Sequence, residues 1–112
     1  MAEYDDLMEK ARALGKAIAD TRAVRELHAV QTKIENDDEL RKLRDDHREI
    51  AIKLAKLEME NQPIEPEDKR KLSELQSRMR TDLVFQEQLR LEVEHNDLMR
   101  RVNQEISSQL RR

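Results

Sequence analysis

Any chemistry in this chain would have to begin with Glu92 and His95. A Glu-x-x-His pair puts a carboxylate and an imidazole on one helix face, the arrangement by which di-iron carboxylate bundles hold metal. Such a site needs a second Glu-x-x-His and further glutamates from other helices. The remaining histidines do not supply them, because Arg44 stands before His47 and Arg25 before His28 where the glutamate would be. The chain has no cysteine, which excludes disulfides, thiolate zinc sites and cysteine-held iron–sulfur clusters. His95 and His47 therefore read as seam residues of long helices. No metal and no cofactor is expected.

Catalysis of other kinds has as little to work with. Charged residues make up 42% of the chain, so abundant carboxylates point to no particular acid–base pair. With one glycine, a phosphate-cradling glycine loop is impossible, and no nucleophile elbow or metalloprotease motif occurs. The expectation is a protein that is not an enzyme. For nucleic acid there is a short basic run, Lys69-Arg70-Lys71. Arg100 and Arg111 also return to one helix face, as do Arg101 and Arg112. Against this, the net charge is −3 and only Tyr4 and Phe85 are aromatic, so phosphate attraction and base stacking are both weak. The plainer reading of the arginines is as cations at the negative end of a helix dipole.

The elements that position these residues are helices. The central stretch, residues 36–61, has neither glycine nor proline. Leu40, Leu43, His47, Ile50, Leu54 and Leu57 recur at alternating gaps of three and four, the spacing of one narrow helix face. Asn36 is the expected cap, with Glu39 returning the bond, and Asp37 and Asp38 suit the positive end of the dipole. Gln62-Pro63 is the expected stop, since a residue before proline is pushed out of helical geometry. Pairs such as Asp38 with Lys42 and Glu49 with Lys53 are expected on the outer face.

Before this rod come two shorter helices, about 3–19 and 22–35, broken at Asp20-Thr21. Tyr4, Leu7, Ala11, Leu14 and Ile18 form the apolar face of the first, in which Gly15 leaves room for another helix to approach. Val24, Leu27, Gln31 and Ile34 continue the pattern. The central helix runs about 37–61 and QPIEP, residues 62–66, is a stiff hinge. Helices at about 66–80 and 82–110 follow, with a cap or kink at Thr81-Asp82. Pro66 suits the first position of its helix, followed by Glu67 and Asp68. Arg111 and Arg112 are expected to fray. The fold class is all-α, in a single domain over 1–112. A long antiparallel helical hairpin carries the N-terminal helices alongside, and the bundle is completed by oligomerisation.

Apolar surface is scarce for a chain of 112 residues, which favours a second subunit or partner supplying more. Ile52 and Met59 lie off the main seam of the central helix. A second apolar stripe marks a helix that packs on two sides, so these two residues are the expected partner or oligomer face. Met8, Met59, Met79 and Met99 read as gap-filling core or as an adaptable groove. No stretch is apolar enough to span a membrane, and MAEYDDLMEK lacks the pattern of a signal peptide. A cytoplasmic protein is expected.

The order of these features resembles the YlbF/YmcA family of small bacterial helical regulators. The matching features are the Tyr-Asp start, a first helix ending near residue 20, the Asn-Asp-x-Glu-Leu cap and a proline–acidic hinge. The final arm LVFQEQLRLEVEHNDLMRRVNQEI completes the likeness, which covers about residues 4–110. Two features depart from the family pattern. Arg80-Thr81-Asp82 stands where Asn-Pro is usual, and Glu65 precedes Pro66 where Ser or Thr usually caps. The resemblance implies an oligomer-forming regulator. Relatives are linked to competence, sporulation and biofilm formation through a complex that influences messenger-RNA processing. Some members of that complex carry cysteine-bound iron–sulfur clusters, for which this chain has no ligands.

The function expected is that of a self-associating, non-enzymatic adaptor in a bacterial regulatory complex, linked to RNA processing and bound to a protein partner. Two alternatives stand beside it. One is a helical-hairpin holdase that cradles clients between its arms. The other is a nucleic-acid-associated protein using the C-terminal arginines.

Overall fold

The structure is a computed structural model that describes residues 2–111. It is all-α, with five helices and no strand among the described residues. They are α1 (Ala2–Ala19), α2 (Arg22–Glu35), α3 (Asp38–Met59), α4 (Pro66–Thr81) and α5 (Leu83–Leu110). Arg111 lies beyond the end of α5, and Arg112 is outside the described residues.

Polar side chains make each break. At the first, Thr21 Oγ1 donates to the Ile18 carbonyl at 2.7 Å and accepts from the Val24 amide at 3.4 Å. At the second, the cap falls one residue later than the sequence pattern indicates. The Asn36 amide donates to the Thr32 carbonyl at 3.0 Å, so Asn36 is engaged in closing α2. Asp37 is the residue in extended conformation, and its Oδ1 accepts from the Leu40 amide at 3.1 Å. Asp37, not Asn36, is therefore the N-cap of α3. Arg44 braces the same corner, donating from Nη1 to Glu35 Oε2 at 2.7 Å and from Nε to Asp45 Oδ1 at 3.0 Å. The hydrogen bonds to Glu35 and then Asp45 push its guanidinium above its ordinary pKa.

The stop of α3 precedes the proline. Asn61 adopts a left-handed conformation, with φ 55°. Its amide donates to the Glu58 carbonyl at 3.2 Å and the Gln62 amide donates to the Leu57 carbonyl at 2.9 Å. These two bonds with an αL residue between them are a Schellman motif, which occupies carbonyls left free at the helix end. Pro63 then prevents resumption. Pro66 opens α4, and Glu65 at its N-cap makes no side-chain capping bond. At the last break one extended residue, Asp82, separates α4 from α5. Its Oδ1 accepts from the amides of Val84 at 2.8 Å and Phe85 at 3.3 Å.

By its contacts the chain divides into two compact units. One is Val30–Gln88, and the other comprises the residues up to Ala29 with those from Leu89 onward. In the first, α3 and α4 fold back on each other as a hairpin. Ile34, Leu43, Ile50, Leu54, Leu75 and Phe85 form its buried core, flanked by Leu40, Leu57, Ile64, Leu72, Met79 and Val84. Ile34 is only 1% exposed, a degree of burial that contributes roughly 1.5–3 kcal/mol for such a side chain. The rod's seam residues thus face the core as their spacing requires. The outer charges pair differently from the simple i,i+4 expectation. Asp38 is taken by Arg41 at 2.9 Å, and Lys42 turns to Asp46 at 2.8 Å. Lys53 reaches across the hairpin to Asp68 on α4 at 3.1 Å, where the sequence pattern paired it with Glu49.

In the second unit, Val24, Leu27 and Leu91 are buried. α1 contributes no buried residue to it.

Candidate interaction surface

The residues that could have carried chemistry are not assembled for it. Glu92 is exposed and His95 half-buried on α5. Among the described residues no group of three or more His, Asp or Glu side chains is placed to hold a metal ion. His47 is half-buried on α3 and His28 is exposed on α2. A cleft of ≈ 120 Å³ on the hairpin is lined by Asp46, Glu49, Ile50, Lys53, Asp68 and Lys71. Ligand pockets usually measure about 300–1,000 Å³, so it is too small for one. Lys53–Asp68 and Lys42–Asp46 ion pairs already occupy its rim. The Lys42 hydrogen bond holds the Asp46 carboxyl below its ordinary pKa, with help from the charges of Lys71 and Arg78.

Arg100 and Arg111 do line one polar strip on α5, with Asn103, Gln104, Ser107 and Ser108 between them. Arg100 is held by Asp97 within the helix, which leaves it less charge to offer a phosphate. Lys69, Arg70 and Lys71 are exposed.

The surface that stands out is apolar. On α3, Ile52 is 62% exposed and Met59 85% exposed. Their positions follow from the seam: with Ile50 and Leu54 turned into the core, a residue between them faces away. Of the methionines, Met79 packs against the core, whereas Met8 is exposed. Leu83, Leu89 and Val93 of α5 are exposed as well. Their signal in the sequence is that Leu89 and Val93 share a spacing of four beside the Leu91–His95–Leu98 seam, and it passed unread. On α1, the face carrying Tyr4, Leu7, Met8 and Leu14 is open. Periodicity finds such a face but does not say whether anything covers it. No helix among the described residues is long and apolar enough to cross a membrane.

These features define a small all-α protein built on a helical hairpin, with apolar side chains left at its surface. The profile of the family described as control of competence regulator ComK, YlbF/YmcA, matches residues 7–111, and the chain belongs to that family. Two solved structures share the fold. A protein of unknown function (DUF964) from Bacillus stearothermophilus superposes with a TM-score of 0.73 at 18% identity, over 94% of this chain and 92% of its own. Bacillus subtilis RicA, solved in complex with RicF, gives 0.75 at 17% identity, over 94% of this chain and 93% of its own. No curated protein sequence matches at a significant level.

Proposed function

We propose that this protein is a non-enzymatic, cytoplasmic adaptor that self-associates and works within a bacterial regulatory complex linked to RNA processing. The observation that carries the reading is that a relative of the same fold, RicA, was solved in complex with RicF. The exposed apolar side chains support it, because large apolar groups left in water on a small protein mark surfaces that a partner covers. Ile52 and Met59 form the intermolecular face on α3, and oligomerisation completes the bundle.

Size exclusion with light scattering, and circular dichroism on the same sample, tests this reading. A helical dimer or larger species is expected, along with stable co-purification of a defined protein. Ile52→Glu should weaken association while helicity stays as in the unaltered chain, because the side chain stands in solvent. A variant that unfolds would place Ile52 in the intramolecular core and remove it from the interface.

A further inference from the structure

α1 carries a surface that fits one occupant, and the inference rests on the self-association proposed above. None of its 18 residues is buried. Yet Tyr4, Leu7, Met8, Ala11, Leu14 and Ile18 share one face at helical spacing. Tyr4 is 57% exposed, Leu7 54%, Met8 49% and Leu14 41%. This stripe reverses onto itself about Ala11. Turned end for end, Tyr4 meets Ile18 and Met8 meets Leu14. Leu7 meets Gly15, where even an added Cβ would find nothing within 4 Å.

The charges have the same symmetry. The first half of α1 carries Glu3, Asp5, Asp6 and Glu9 with no base, and the second half carries Lys10, Arg12 and Lys16 with no acid. Lys10 is engaged by Asp6 at 3.1 Å within the helix. Asp5, Glu9, Arg12 and Lys16 run along one flank of the apolar stripe and make no ion pair among the described residues. A parallel pairing of two such helices would set acid on acid and base on base. An antiparallel pairing sets Asp5 against Lys16 and Glu9 against Arg12 of the second copy. Its centre falls within half a residue of the centre of the apolar stripe. A surface that complements its own reverse is what a twofold contact between identical chains requires. The opposed helix dipoles add to the preference.

We infer that α1 is a homotypic docking face, on which a second copy of this chain packs its own α1 antiparallel. The four flank positions are exposed, so the full-length chain tolerates changes there. Two variants test the contact, one carrying Arg12→Glu with Lys16→Glu and the other Asp5→Lys with Glu9→Lys. Sedimentation equilibrium and circular dichroism are run on each, on their mixture and on the chain carrying all four changes. Each variant alone should self-associate about tenfold or more weakly, from like-charge repulsion across the contact. The mixture should form mixed dimers, and the fourfold variant should recover self-association, which only folded chains can do. Self-association of both variants at the strength of the unaltered chain would overturn the α1 assignment. If Ile52→Glu abolished it in the same experiment, the self-association reading would survive without α1. An unaltered chain that stays monomeric at roughly 100 µM, where a Kd of about 10 µM would leave mostly dimer, overturns both.

Discussion

Asp46 shows how much a single exposed residue can report. Lys42 donates to it from the same helix at 2.8 Å, and its carboxyl titrates below the ordinary aspartate value as a result. A carboxyl whose pKa is lower folded than unfolded adds stability at pH above its unfolded value, about 3.9. That contribution is lost as pH falls through the folded value. Asp46→Asn should therefore lower the melting temperature slightly at pH 6 and leave it unchanged near pH 2, as read by thermal unfolding at the two pH values. Residues like this one were hard to read from the sequence, since Lys42 has an aspartate four positions away on either side. The choice went to Asp46 because Arg41 occupies Asp38. Leu43, Ile50 and Leu54 were easy to read, because a buried face imposes a spacing that a solvated one does not.

At the scale of the element, the α2–α3 corner is the point where sequence and structure part by one residue. Asn36 and Asp37 are both good capping residues, and the choice between them depends on which one still belongs to the preceding helix. The Asn36 amide bond to Thr32 decides it. Asp37→Ala should cost about 1 kcal/mol in denaturant unfolding, whereas Asn36→Ala should change stability by no more than a few tenths. Equal costs for the two would return Asn36 to the cap. The end of α3 was masked in a similar way. Pro63 is conspicuous in the sequence, but the left-handed residue that stops the helix is Asn61, whose conformation no spacing announces. The breaks at Thr21 and Asp82 were legible because short polar side chains there compete with the helical backbone.

For the whole molecule, the helical class and the hairpin are written in periodicity and in the QPIEP hinge. Function is written far more faintly. Ile52 and Met59 could be singled out because they leave the seam of a helix whose other face was already assigned. The α1 face could not, because an apolar stripe looks the same whether it is covered or open. Ile52→Glu and the α1 charge reversals thus probe separate surfaces, and together they tell which of the two holds copies of the chain together.

The absence of buried side chains on α1 also has a kinetic side. A lone helix of this length is marginal in water, and opening α1 uncovers no core. Its amide hydrogens should exchange with deuterated solvent sooner than those of α3 in the dilute chain, and slow down once a second helix lies against them. Part of the association energy is then spent on ordering α1, so the joined state should release quickly for the surface it covers. Such a contact suits an assembly that is rebuilt often rather than one formed once.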